Sequence, residues 1–458
     1  MRTLTLRRAT LCTALACLLA CHPRSAEVEA PSTPTLILAG ITLRDPGAEG
    51  PAGANPVTVV IEGDRIARIL DPHETVPAGA RTIDASGLYL IPGLWDLHTH
   101  LSLTGDMFSR LLVAHGVTAV RDLGGNVEQL EALRARIESG ELLGPRIVRA
   151  GPTLNGAPNA AHHRVIATPE EAATAVAELK AAGMDLLKTH NATDREVYFA
   201  LLEAAAQQGM KLAGHIPKGV DPIEACRAGQ YSVEHIATIF EGTYISRFDG
   251  DLEAIQAMPT WLATEADELI DCFVEYQTLF VPTLRTYRVR ARWAAWTDDP
   301  DPLLDLLGED VRNSWLEGAA PTEKDRNPKV IELRDSLVTV GQELVRRLHE
   351  AGAPIGAGTD FSGPGVLPGK DLHRELELFV EAGLLPREAL LTATRGPGGE
   401  AGGDARQGRL VEGAPADLVL LRRDPFESVE ALGEIEAVVL RGRLIERREI
   451  DGIFEGHE

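Results

Sequence analysis

Apolar and polar residues alternate through Val57–Leu70 (VTVVIEGDRIARIL), interrupted by the turn pair Gly63-Asp64, and this pattern predicts a β-hairpin. Short runs of the same strand character recur near the other end, in ADLVLL (Ala416–Leu421) and AVVLRGRLI (Ala437–Ile445). The terminal segments 35–91 and 403–450 therefore predict one small β-domain built from both ends of the chain. The middle follows another rhythm. Thr168-Pro169-Glu170-Glu171 supplies a capping threonine, a proline at the first helical position and a glutamate three after the cap, and Gly183 closes that helix before the strand Met184–Lys188. Thr193 with Glu196 opens a second helix that Gly209 closes before MKLAGH, and Asp221-Pro222 with Glu224 opens a third that Gly229 closes before YSVEH. Further strands are predicted at Gly93–His100, Val117–Asp122, Pro145–Ala150, Thr278–Thr283 and Ala353–Asp360, which makes eight. No GxGxxG opens any of these units, so the expectation is an α/β fold with a (β/α)8 TIM barrel over 92–402 rather than a doubly wound sheet. The helical, tryptophan-bearing interval 284–352 is too long for one connection and reads as an insertion or lid over the barrel mouth.

Composition narrows the class. With 44% apolar and 25% charged residues in 458, the chain suits a large globular core. A formal charge of −23 disfavours nucleic acid as a partner, because neutralising phosphates needs a basic face. The first residues read as an address: Arg2, Arg7 and Arg8 precede the apolar run Leu11–Leu19, too short to span a bilayer, which predicts a secretory signal over 1–20. Leu18-Leu19-Ala20-Cys21 is similar to a bacterial lipobox. Lipidated Cys21 would then anchor the chain to the cell envelope, periplasmic or outer-membrane, through the tether 21–34. An ordinary signal cleaved nearby would share these features. Cys12 and Cys17 leave with the signal, so Cys226 and Cys272 remain; their apolar helical contexts predict two buried free thiols ahead of a metal pair, with a disulfide left open by an oxidising compartment.

Candidate chemistry gathers at the predicted strand ends. His98 and His100 are two apart on a strand and share a face. An HxH pair alone says little. Lys188, His215, His235 and Asp360, however, each end a different predicted strand, and barrels of this kind assemble their sites at the C-terminal strand ends. Lys188 follows apolar Leu186 and Leu187, and an inward ammonium is expensive to bury. Burial lowers its pKa, and the neutral amine can react with carbon dioxide to form an anionic carbamate. His190 shares the face of Lys188. Arg121 and Asp122 read as a structural ion pair, and His162, His163 and Lys218 as loop residues at the mouth.

Taken together, IPGLWDLHTH (Ile91–His100), GVTAVRDLGG (Gly116–Gly125), MDLLKTH, AGHIPKG (Ala213–Gly219), SVEHI (Ser232–Ile236), GAGTD (Gly356–Asp360) and EGAPADLVLL (Glu412–Leu421) resemble the metal-dependent amidohydrolase superfamily. The likeness is to the branch of imidazolonepropionase-like proteins and prolidase-type dipeptidases. It covers nearly all of the chain after the tether. The resemblance implies a distorted barrel flanked by a β-sandwich, and two divalent metal ions, usually zinc. Carried onto this sequence, it places His98, His100 and Asp360 on the more buried ion, His215 and His235 on the more exposed one, and Lys188 between them as a carbamate. Two such cations acidify a shared water, and Asp360 would take its proton and pass it to the leaving amine. Relatives often carry a tyrosine where His190 stands; the histidine is expected to orient the carbonyl or leaving group, or to support the ligands from behind. The glycine-rich stretch Arg395–Leu418 departs from the family's helix with its asparagine-proline step, and is expected to shorten that helix.

The resulting expectation is a membrane-tethered hydrolase of amide bonds in dipeptides or N-acyl amino acids, with the substrate class resting on the resemblance alone. Lactones, cyclic amides or organophosphate esters form the alternative substrates. A mononuclear site of the deaminase or imidazolonase kind would leave Lys188 unexplained. A surface lipoprotein that binds a small ligand without turnover is the alternative from another class, and the oligomeric state, a homo-oligomer included, stays open.

Overall fold

The computed structural model describes residues 35–48, 55–71, 74–76, 79–241, 251–394 and 404–456. The predicted signal 1–20, Cys21 with its tether, and the glycine run at 395–403 lie outside the described residues. The chain enters through β1 (Thr35–Leu43), β2 (Val57–Glu62), β3 (Arg65–Leu70), β4 (Arg81–Asp84) and β5 (Tyr89–Pro92). It continues through β6 (Leu94–Thr99), β7 (Val117–Asp122), β8 (Arg146–Arg149), β9 (Thr153–Asn155), β10 (His163–Val165), β11 (Leu187–Thr189), β12 (Leu212–Gly214), β13 (Ser232–Glu234) and β14 (Leu279–Val281). It returns through β15 (Leu418–Leu421), β16 (Ile435–Leu440) and β17 (Arg443–Glu446).

Both chain ends build one sheet, ordered β17-β16-β15-β5-β1-β2-β3 with β4 beside β1. The expected hairpin is β2–β3, with Glu62 opposite Arg65. Alternation explains its core: Leu36, Leu38, Val59, Ile61, Leu418 and Leu420 point the same way and pack together. Each such aliphatic side chain contributes about 1.5–3 kcal/mol by leaving water.

The larger unit is the distorted barrel. Parallel ladders run β6-β7-β8 and β9-β11-β12-β13-β14, with β10 outside β9. Asp185 N donates to Arg149 O at 2.9 Å and joins the two ladders. The eighth position is an extended segment rather than a full strand: Phe280 N donates to Pro354 O at 3.0 Å, and Asp360 N donates to His98 O at 2.7 Å. These bonds close the ring back onto β6. Two short strands, β9 and β10, stand in the loop after β8 where no strand was expected.

Local signals mostly agree with the helices. Thr168 accepts from Glu171 N ahead of Pro169, and Asp221 with Glu224 forms a reciprocal capping box. Thr193 does not cap; the helix Arg195–Gln208 follows Asp194, and Thr193 Oγ1 donates to His190 O at 2.9 Å. Within 284–352, the helix Leu284–Ala291 follows β14 closely, and Pro328–Ala351 leads into the eighth segment with Val338, Leu344 and Leu348 buried.

The two expected free thiols are a correction: Cys226 and Cys272 form a disulfide, with Cα atoms 6.4 Å apart. The helices Pro222–Arg227 and Ala266–Tyr276 pack face to face, so the apolar contexts that suggested burial also oppose the two sulfurs. Thiol titration of the denatured protein lacking residues 1–34 is expected to find no free thiol. Replacing both cysteines with alanine is expected to lower unfolding free energy by about 2–4 kcal/mol, measured by urea denaturation. Free thiols in the freshly purified protein would count against the bond.

Candidate active site

Strand geometry carries six side chains to one cavity of about 450 Å³ at the C-terminal ends of the barrel strands: His98, His100, Lys188, His215, His235 and Asp360. His190 lines it as well. His98 lies within β6 and is fully buried, while His100 follows the strand end and is partly open. Lys188 sits in the middle of β11 rather than at its end, since the strand starts and finishes later than the sequence suggested. Gly214, at φ +125°, lets the next strand close onto it: a Cβ there would lie 2.9 Å from Lys188 Cδ. His235 and Asp360 adopt left-handed backbone at φ 70° and 60°, as does neighbouring Thr283 at φ 50°. Such strain in non-glycine residues gathers at functional sites.

Neighbours fix the imidazoles. His98 Nδ1 meets Glu234 Oε2 at 3.0 Å, which sets its tautomer and leaves Nε2 as the free donor atom. That Nε2 is 3.5 Å from Asp360 Oδ1 and 3.4 Å from Lys188 Nζ. His100 Nδ1 faces Gly124 O at 3.3 Å, and its Nε2 is 3.5 Å from the same Asp360 oxygen. His235 Nδ1 contacts Thr283 Oγ1 at 2.8 Å. The rings continue as a chain: His98 to His235 at 4.5 Å, His235 to His215 at 4.8 Å, His215 to His190 at 4.2 Å and His190 to His163 at 5.1 Å.

Burial and mutual repulsion keep most of these rings neutral. His235 is lowered to about 3 and His190 to about 4, in each case first by burial. Burial lowers Lys188 to about 8, and among the described residues no carboxylate forms an ion pair with it. Burial alone would raise Asp360, but His235, His100 and Arg290 hold it well below the usual carboxylate range. The site thus offers neutral nitrogen donors around an ionised carboxylate and a buried amine.

That donor chemistry fits a divalent cation. His98, His235 and Asp360 each present one donor atom, all within 4.8 Å of one another. His235, expected beside His215 on the outer ion, thus also comes together with the inner set. The buried Nδ1 atoms of His190 and His215 have no hydrogen-bond partner among the described residues.

Other expectations change. Arg121 is paired with Glu234, not with Asp122: its Nη2 donates to Oε1 at 2.8 Å, and Nη1 to Ser232 Oγ at 3.0 Å. Asp122 instead accepts from Ser102 N at 2.8 Å and Gly124 N at 3.1 Å. The adjacency of the two residues in β7 suggested a pair, but neighbours on a strand face opposite ways. His162 and His163 do line the cavity; Lys218 does not feature among the lining residues. Sequence reasoning passed over Glu234, Asp96, Tyr287 and Arg290. Asp96 accepts from Thr359 Oγ1 at 2.6 Å and Thr359 N at 3.0 Å, and so latches β6 to the segment carrying Asp360. A carboxylate inside the apolar run LWDLHT was the available signal for it.

Comparison with known proteins supplies the family and the fold. Residues 89–445 match the amidohydrolase family. An imidazolonepropionase from Rubrobacter xylanophilus is 26% identical over 397 residues, covering 80% of this chain and 85% of its own. A Bifidobacterium longum protein of solved structure, assigned as a prolidase, is 28% identical with a TM-score of 0.67, covering 93% of this chain and 99% of that one. The bottromycin amidohydrolase AH shares the fold with a TM-score of 0.75 at 24% identity, covering 92% of this chain and 89% of its own. The chain belongs to the amidohydrolase family, in its imidazolonepropionase and prolidase-type branch, and is a metal-dependent hydrolase of carbon–nitrogen bonds.

Proposed function

We propose that this protein hydrolyses the amide bond of dipeptides or N-acyl amino acids, using two divalent cations, zinc by preference. His98, His100 and Asp360 would hold one cation, His215 and His235 the other, with a carbamate on Lys188 between them. The observation that carries this reading is Lys188 itself: an amine 2% exposed, in no ion pair with a carboxylate among the described residues, set among imidazoles and Asp360. A buried cation so placed is unfavourable. Its neutral form can attack the carbon of carbon dioxide, forming an N–C bond and releasing a proton, and the product is a second anion beside Asp360 among the neutral imidazoles. Bound cations supply acidification of water and polarisation of the substrate carbonyl.

The chain's own groups then have distinct tasks. Asp360, held ionised, accepts the proton of the attacking water and delivers it to the leaving nitrogen. His190, in ring contact with His215, is placed to orient the carbonyl or the leaving group. Glu234, Gly124 and Thr283 keep His98, His100 and His235 aimed.

We place the mature chain outside the inner membrane, tethered through lipidated Cys21. The Cys226–Cys272 disulfide supports an oxidising compartment. No helix among the described residues is long and apolar enough to cross a membrane.

Metal analysis of the protein lacking residues 1–21, supplied with zinc and bicarbonate, is expected to find about two ions per chain. Lys188→Met is expected to reduce that to about one or none and to abolish turnover. A Lys188→Met protein with two ions and unchanged turnover would remove the carbamate from the mechanism. Screening dipeptides, N-acyl amino acids, lactones and phosphotriesters tests the substrate class; inert amides beside a rapidly cleaved lactone would reverse it.

A further inference from the structure

Tyr287 and Arg290 reach the cavity from the helix Leu284–Ala291. That helix is held by its first turn. Glu375 accepts from Leu284 N at 2.9 Å and Arg285 N at 2.6 Å, and Arg285 Nε donates to Asp371 Oδ1 at 2.7 Å. Glu375 and Asp371 are both buried, on the helix Lys370–Glu381, so the backbone carrying Arg290 is fixed from a neighbouring element. Arg290 follows Tyr287 by three residues and shares its face, with the guanidinium carbon 5.9 Å from the tyrosine ring centre.

The arginines of this helix differ in their partners. Arg285 pairs with Asp371 and Arg288 faces Asp335. Among the described residues no carboxylate pairs with Arg290, although it lines a cavity that holds Asp360. Its charge is felt at Asp360 and at His235, which puts it on the side of the cavity where Asp360 stands. In the reaction proposed above, Asp360 hands a proton to the leaving nitrogen. When the leaving group is an amino acid, its carboxylate lies two bonds beyond that nitrogen. A guanidinium offers the planar fork that a carboxylate matches with two hydrogen bonds. The chain as a whole carries −23, so an anionic substrate needs such a local cation at the mouth.

We infer that Arg290 binds the free carboxylate of the leaving amino acid, so that the protein cleaves the amide bond next to a C-terminal carboxylate and discriminates against the corresponding amides and against internal peptide bonds. This rests on the amide-hydrolase reading and adds the end of the substrate that is recognised.

The test uses the metal-loaded protein with N-acetyl derivatives of the common amino acids and glycyl dipeptides, each as free acid and as C-terminal amide. Hydrolysis and equilibrium binding are measured for the wild type, Arg290→Met and Arg290→Lys. At least one free acid is expected to be cleaved in preference to its amide. Arg290→Met is expected to raise KM for that acid by about 10- to 100-fold, with a much smaller change in kcat and none for the amide. Arg290→Lys is expected to restore part of the loss, since it keeps the charge without the fork. Equal cleavage of acid and amide by the wild type, or an Arg290→Met protein with unchanged KM, overturns the inference and leaves amide hydrolysis standing. If nothing in the panel is cleaved, the proposed function fails, and binding then decides the role of Arg290. A preference for acids that disappears in Arg290→Met retains the role; no such preference overturns it.

Discussion

Asp360→Asn is expected to lower turnover by about 10²- to 10⁴-fold while leaving the metal content unchanged. Asparagine keeps the shape of the side chain and one oxygen donor, but cannot carry a proton between water and a leaving nitrogen. The position tolerates this exchange structurally. Asp360 takes its backbone place from the bond of its N–H to His98 O, 2.7 Å long, and its left-handed φ of 60° suits asparagine as readily as aspartate. Its Oδ1 stands 3.5 Å from both His98 Nε2 and His100 Nε2, within reach of the same cluster that would hold a cation. Metal analysis beside steady-state kinetics therefore separates the two duties of the residue. Full turnover with both ions present would sink the proton-transfer role.

The second large effect is on stability. Arg121→Met is expected to destabilise the protein by about 3–5 kcal/mol, because it leaves the buried Glu234 carboxylate without its cation. Arg121 and Glu234 are both fully buried, and the guanidinium also donates to Leu97 O at 2.5 Å and to Ser232 Oγ. The second oxygen of Glu234 orients His98, so the same variant is expected to weaken metal binding by about 10- to 100-fold. Urea denaturation and metal titration read the two losses separately. Arg121→Met combined with Glu234→Gln is expected to recover much of the stability, because the pair leaves together, but not the metal affinity. An Arg121→Met protein with unaltered unfolding would show that Glu234 is satisfied by Ser232 and His98 alone.

What could be read from the chain and what could not divide along physical lines. His98, His215, His235 and Asp360 were visible because each ends or follows an apolar run, and inward-facing polar groups at such places converge once the strands form a ring. Lys188 stood out by its apolar neighbours, although its strand was placed a few residues early. The hairpin at Gly63-Asp64 and the cap at Thr168 are local, and local chemistry decides them. Partners across the barrel have no local trace. Nothing near Arg121 announces Glu234, more than a hundred residues on, nor near Cys226 its bond to Cys272. Arg290 lay in a segment recognised as helical, but which face of that helix meets the cavity is set by Glu375 and Asp371, far along the chain.

The sheet made from both chain ends orders the events of folding. β5 pairs with β15 through Leu90 opposite Leu420, so β5, whose other edge pairs with β1, has no inner neighbour until almost the whole chain has been made. The barrel, by contrast, is built mainly from neighbours in sequence and can assemble while the sheet waits. During synthesis β1 and β2 are covered by their own neighbours β5 and β3, whereas the inner edge of β5 remains unpaired, and a chain cut short before Leu418 would present it as an open edge. Truncated or stalled chains of this protein should therefore aggregate through the open edge of β5 even where the metal-binding barrel is complete.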